Sequence, residues 1–194
     1  ESALKKDKNY KAVLVTHVDT STSVKNEIAP IRALLNNLNH EALLLVDCIA
    51  SLACDEFHMD DWGVDVAVSG SQKGFMLPTG LAIVGVSQKA MEQKKQATLP
   101  VCFFDFGDMI KMNAQGYFPY TPPVTLLRGL RASVDMLLDE GLDNVAYRHN
   151  RLAEGVRRAV TAWGLNNCAQ EAQWHSDTVT AIKMNEGQDA NAVT

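Results

Sequence analysis

The chain has 194 residues, with 18 Lys and Arg against 23 Asp and Glu for a formal charge of −5, and 46% of it is apolar. That apolar share excludes a disordered segment, and no run approaches the roughly 20 apolar residues that a bilayer demands. The acidic balance argues against a nucleic-acid surface, and the length allows one hydrophobic core or one and a half.

The predicted elements open with a short apolar strand at residues 11–16 (KAVLVT), between a charged stretch and a polar one. A helix follows over 28–38, its apolar residues Ile28, Ile31, Leu34, Leu35 and Leu38 recurring at three- and four-residue steps, with Pro30 in its first turn. Residues 42–46 (ALLLV), 64–68 (VDVAV) and 81–86 (LAIVGV) read as three more buried strands. Continuous apolar strands separated by helices define an α/β sheet with helices on both faces. Only a dozen residues, rich in Gly and Pro, join the third strand to the fourth. That is short for a parallel crossover, so the fourth strand is expected to run antiparallel in a mostly parallel mixed sheet.

After a short helix at 88–96, the stretch 99–125 reads as irregular, aromatic and Pro-bearing. Two helices follow. The first, 124–139, carries Val124, Leu127, Leu130, Val134, Leu137 and Leu138 on one face; the second, 144–163, places Val145, Arg148, Leu152, Val156 and Val160 inward and stops at Gly164. Residues 178–184 read as a further strand whose partners are expected beyond residue 194. The chain opens on Glu1, and both ends read as cuts through a longer polypeptide. Cys48, Cys54, Cys102 and Cys168 show no CxxC or zinc spacing and read as buried, reduced thiols of a reducing compartment.

In an open α/β sheet, ligands bind beyond the carboxyl ends of the strands. There the first strand delivers His17 to Ser23, the second Asp47, and the third Ser69-Gly70-Ser71-Gln72-Lys73-Gly74. Lys73 leaves a strand too apolar to be exposed. A partly desolvated amine sheds its proton readily and becomes a Schiff-base nucleophile, whereas a lysine on an open loop does neither. Asp47 ends the run LLLVD, where a carboxylate either meets a cation, such as a protonated pyridine nitrogen, or caps the next loop. The hydroxyls of Thr20, Ser21, Thr22 and Ser23 suit an anion or a ring oxygen, or simply the loop itself. His17 with Asp19, and the group Asp55, Glu56, His58, Asp60 and Asp61, lack strong zinc spacing; the second reads as a solvated acidic loop.

The blocks HVDTSTSV, LLLVDCIASL, MDDWGVDVAVSGSQKG and LPTGLAIVGVS, with 26 residues from Asp47 to Lys73, resemble the class V, fold-type I, pyridoxal-phosphate-dependent aminotransferases, most of all the serine–glyoxylate and alanine–glyoxylate type. The blocks GYFPYTPPVTLLRGLRASVDMLLDEGL and RHNRLAEGVRRAVTAWGL extend the resemblance over nearly the whole chain. It implies pyridoxal 5'-phosphate as cofactor, Lys73 as its covalent anchor and Asp47 as partner of the ring nitrogen. It further implies Ile49 packed on the ring, Thr20 near the ring hydroxyl and Gln72 in contact with the cofactor. Thr121 resembles a residue that reaches the phosphate bound in a neighbouring subunit, which implies a homodimer. Relatives often carry a tyrosine three residues before that threonine; here the position is Phe118, with Tyr117 and Tyr120 beside it.

The implied reaction moves an amino group from a small amino acid to glyoxylate, giving glycine and a keto acid, with serine favoured as donor over alanine or aspartate. No nucleic-acid or membrane partner is implied. The implied compartment is intracellular, the cytoplasm in a bacterium and the peroxisome in a eukaryote. Residues 1–140 correspond to a large cofactor-binding domain without its N-terminal part, and 141–194 to the start of a small C-terminal domain. The phosphate loop and the substrate-carboxylate arginine of relatives fall outside the chain, so the piece alone is expected to be a poor catalyst. A same-fold lyase or desulfurase would place His before the lysine, where this chain has Gln72. A nucleotide-binding oxidoreductase would need G-x-G-x-x-G, which is absent from the sequence. A non-catalytic domain that inherited the fold is the remaining alternative.

Overall fold

The computed structural model describes residues 1–192. The chain runs α1 (Ser2–Lys6), β1 (Ala12–Thr16), α2 (Ala29–Asn37), β2 (Leu43–Asp47), β3 (Val66–Gly70) and β4 (Ala82–Val86), followed by α3 (Gln88–Lys94) and α4 (Phe106–Asn113). The long helices α5 (Val124–Glu140) and α6 (Leu142–Ala162) come next, then β5 (Asn166–Asn167) and β6 (Ile182–Lys183). The strand order is β1-β2-β3-β4, with the first three parallel and β4 antiparallel to β3. The mixed sheet is therefore the expected one. The short connection to β4 is closed by Ser71, whose hydroxyl donates to the Pro78 carbonyl (2.8 Å) and accepts from Leu81 N–H (3.2 Å).

One face of the sheet holds the core. Leu44, Val46 and Ala67 pack under Ile28 and Leu35 of the α2 segment, with Val13, Val15, Phe57, Met59 and Trp62 around them. Asp65 sits buried at the base of β3. Its carboxylate accepts from Arg32 of α2, from Leu44 N–H (2.8 Å) and from the Ser87 hydroxyl (3.1 Å). One side chain thus ties α2, two strands and the cap of α3 together, and its hydrogen bonds offset the cost of burying the charge. The opposite face is also apolar, but it is open among the described residues: Leu14 is 76% exposed and Val84 40%. At its lower edge Leu43, Val66 and Val86 border a groove of about 760 Å³ walled by Tyr10, Phe104 and Phe106, away from the carboxyl ends of the parallel strands.

Several elements differ from the sequence reading. The stretch 99–125 is not wholly irregular: Asp105 caps α4 by accepting from Gly107 N–H (2.6 Å) and Asp108 N–H (3.3 Å). Helix α1 was not anticipated. β6 pairs antiparallel with Asn166–Asn167, a partner inside the chain that the sequence reading did not expect. On α5, Ser133 and Leu137 are buried while Val124 and Leu138 face outward. Helix α6 buries Val145, Ala153, Arg157 and Val160, leaving Leu152 63% and Val156 46% exposed. Arg157 sets that rotation by donating to the Ser176 carbonyl (3.0 Å) and pairing with Asp177 (3.3 Å). All four cysteines are free, Cys48 is buried and Cys102 is exposed, against the expectation of buried thiols throughout. Among the described residues no helix is long and apolar enough to cross a membrane.

Candidate active site

Thr16, Asp47 and Val68 stand in one cross-strand row. Backbone bonds from His17 N–H to the Asp47 carbonyl (2.8 Å) and from Cys48 N–H to the Val68 carbonyl (2.9 Å) level the three parallel strand ends. Three loops therefore leave from one edge, the place where α/β sheets bind ligands. Paired residues project to the same side of a sheet, so Thr16, Asp47 and Val68 share the open face with Leu14 and Leu45. Asp47 is exposed there. Its Oδ1 accepts Ile49 N–H (2.9 Å), while Oδ2 has no partner among the described residues, and Ile49 is half-buried. Thr16 went unnoticed in the sequence. Parallel pairing would have revealed it as Asp47's lateral neighbour.

The first loop resolves the question of its four hydroxyls. Asp19 accepts Ser21 N–H (2.9 Å), the Ser21 hydroxyl (2.8 Å) and the Thr22 hydroxyl (2.9 Å), and the first of these does most to hold its carboxyl below the usual range. Ser23 donates to the Thr22 carbonyl at 2.6 Å. Thr20 alone of the four keeps a hydroxyl without a partner among the described residues, and it is exposed. The loop is braced from outside by Lys25 N–H on the Trp174 carbonyl (2.8 Å) and a bridge between Val24 and His175. His17 does not pair with Asp19 around a metal. It is buried, shares a hydrogen bond with the Ser51 hydroxyl (2.8 Å) and lies against Phe57 and Trp62.

The third loop carries Lys73. Gln72 folds back over Gly70, where a Cβ would come within 2.9 Å of the amide oxygen. The Lys73 carbonyl accepts Met76 N–H (2.9 Å), forming a tight turn, and the Lys73 side chain is exposed, with no ion pair or hydrogen bond to any described residue. The partial desolvation inferred from the apolar strand is not supplied within this chain. Lys73 stands between Gln72 and Gly74, and the adjoining sheet face is open. Thr121 is also exposed, on the connection between α4 and α5 and not on a strand-end loop. Of the acidic group, His58 meets Glu56 (2.8 Å), and Asp55 pairs instead with Lys25 (3.2 Å). No set of three or more His, Cys, Asp or Glu among the described residues is placed to hold a metal.

The family model for class-V aminotransferases matches residues 1–194, and the chain belongs to that family. It is 57% identical over 98% of its length to a serine–glyoxylate aminotransferase of Hyphomicrobium methylovorum, and 53% identical over all of it to an L-aspartate–glyoxylate aminotransferase of Paracoccus denitrificans. The chain spans about half the length of these curated relatives (48% and 49%). The crystal structure of a pyridoxamine–pyruvate aminotransferase from Mesorhizobium loti superposes with a TM-score of 0.89 at 32% identity, over 99% of this chain and 49% of that one. Class-V aminotransferases are pyridoxal-phosphate-dependent enzymes. The donor set suits such a cofactor: an amine for its aldehyde, a carboxylate with one oxygen left over from Ile49 N–H for its ring nitrogen, and a hydroxyl for its ring oxygen, the amine and the hydroxyl without a partner among the described residues.

Proposed function

We propose that the complete polypeptide transfers an amino group from a small amino acid to glyoxylate, with serine as the preferred donor, and that Lys73 and Asp47 carry the chemistry. The observation that supports this most is the level strand edge, from which a carboxylate with one free oxygen and the loop of an amine without a partner among the described residues both emerge.

Bound pyridoxal phosphate supplies an electron sink for the bond broken at the substrate Cα. Lys73 would hold the cofactor through Nζ, and the same amine, when free, would act as the base for the substrate Cα proton and as the acid that gives that proton back. Asp47 keeps the ring nitrogen protonated by setting a negative charge against it, with Oδ1 already steadied by Ile49 N–H. Thr20 would donate its free hydroxyl to the ring oxygen, Ile49 would pack on the ring, and Gln72 would contact the cofactor. Thr121 serves the phosphate held by a second copy of the chain, so the assembly is a homodimer. We place the boundary between the two domains at Gly141, whose φ of +84° breaks α5 from α6.

The experiment is a half-reaction assay on the complete polypeptide with serine, alanine and aspartate, followed by glyoxylate. The expected products are a keto acid in the first stage and glycine in the second, fastest with serine. Failure to produce glycine with any donor overturns the proposal.

A further inference from the structure

The turn that carries Lys73 is seated between two fixed neighbours, one on each side. Gly74, directly after the lysine, is buried against the turn that follows Asp47. A Cβ at this position would lie 2.2 Å from the Leu52 carbonyl oxygen, 2.9 Å from Cys54 Sγ and 3.1 Å from the Ala53 carbonyl carbon. That turn is itself rigid. Ser51 and Leu52 donate their backbone N–H groups to the Cys48 carbonyl (3.1 and 2.9 Å), and the fully buried Ser51 hydroxyl bonds His17 of the first loop. On the other side, Ser133 of α5 donates its hydroxyl to the Phe75 carbonyl. One and two turns earlier on the same helix, Gly129 and Leu126 adjoin Leu77 and Gly80, the further residues of the Lys73 loop: ideal Cβ atoms at Gly129 and Gly80 would stand 3.0 Å from Leu77 Cδ2 and 2.7 Å from Leu126 Cδ1.

We infer that Gly74 and Ser133 are positioning residues for Lys73: the missing side chain at 74 lets the lysine turn rest on the Leu52 carbonyl, and the Ser133 hydroxyl holds it there. The inference rests on the reading of Lys73 as the cofactor's anchor. The clamp ties the lysine turn to the turn that follows Asp47, because the Leu52 carbonyl that Gly74 meets lies only five residues from that carboxylate in sequence. A carbon and a carbonyl oxygen sit about 3.3 Å apart at closest comfort, so a methyl group at 74 displaces the turn by about 1 Å. Displacement of that size at a reacting group costs on the order of 100-fold in rate.

The test uses the complete polypeptide freed of cofactor, as wild type, Gly74→Ala, Ser133→Ala and Ser133→Thr. Each is mixed with pyridoxal phosphate and quenched with borohydride at timed intervals, and intact mass and peptide mapping count the cofactor fixed at Lys73. Induced circular dichroism per fixed cofactor reports the pose of the ring, and far-UV dichroism of the cofactor-free protein reports folding. Gly74→Ala is expected to fix cofactor about 100-fold more slowly with an altered induced signal. Ser133→Ala is expected to be slower by about fivefold, the worth of one hydrogen bond, with Ser133→Thr recovering the rate. A folded Gly74→Ala with wild-type rate and signal overturns the inference. If Gly74→Ala does not fold, a wild-type rate and signal in Ser133→Ala overturns it equally. Absence of cofactor at Lys73 in the wild type refutes the underlying reading, and this inference with it. Normal wild-type capture with unaltered variants refutes the clamp alone.

Discussion

The carboxylate of Asp47 accepts the backbone N–H of Ile49 at 2.9 Å through one oxygen and leaves the other without a partner among the described residues. The first oxygen shapes the turn, and the second is available to a ligand. Asp47→Asn in the complete polypeptide keeps an oxygen for Ile49 but loses the charge. Its kcat is expected to fall by about 100-fold or more while its melting temperature stays near the wild-type value. Steady-state kinetics with serine and glyoxylate, beside a thermal melt, check this; unchanged kcat contradicts the role given to the charge.

Thr20 and its neighbours differ in what their hydroxyls already do. Ser21 and Thr22 are committed to Asp19, and Ser23 to the Thr22 carbonyl. Thr20→Val is therefore expected to weaken cofactor affinity by about tenfold, the scale of one hydrogen bond. Thr22→Ala, which loosens only the Asp19 turn, is expected to change it far less. Equilibrium dialysis of pyridoxal phosphate against each variant separates the two.

Asp65 predicts a stability effect without a direct catalytic one. Replacing it by Ala leaves Arg32 uncompensated and Leu44 N–H without its acceptor, in a site where the Asp65 side chain is 6% exposed and that of Arg32 13%. Breaking a buried pair on one side costs about 3–5 kcal/mol. Urea unfolding should show that loss for Asp65→Ala, and the double variant with Arg32→Met should lose less than the two single losses together.

The sheet was readable because four apolar runs carry its strands and a short Gly- and Pro-rich link forces the antiparallel return. Lys73, Asp47 and the hydroxyl loop were readable because each follows one of those runs. What was hidden depends on contacts between distant residues. Asn166–Asn167 has no apolar pattern, so nothing marked it as the partner of Ile182–Lys183. The rotation of α6 is fixed by Arg157 reaching Ser176 and Asp177, which outweighs the apolar appeal of Leu152 and Val156. Helix α4 was masked by the exposed aromatics around it, although Asp105, its cap, stood in plain view. The role of Gly74 depends on a carbonyl 22 residues away, which no local pattern encodes.

His17 sets the expected pH dependence of folding. Burial lowers its pKa below the ordinary 6.5; the Asp55 charge pulls it part of the way back, and Lys25 pushes it down. A histidine whose folded pKa is depressed binds its proton more readily when unfolded, so stability is lost as pH falls below about 6.5 and is unaffected by His17 above it. Urea titrations between pH 8 and about 5 should show that decline in the wild type and a shallower one in His17→Gln. Equal slopes contradict the assignment.

The central claim concerns one amine. Pyridoxal phosphate is added to the cofactor-free complete polypeptide, the link is fixed with borohydride, and the protein is digested and mapped by mass. The account predicts one cofactor per chain on the peptide containing Lys73, and none in Lys73→Ala. Cofactor fixed chiefly on another lysine, or fixed equally well in Lys73→Ala, contradicts it.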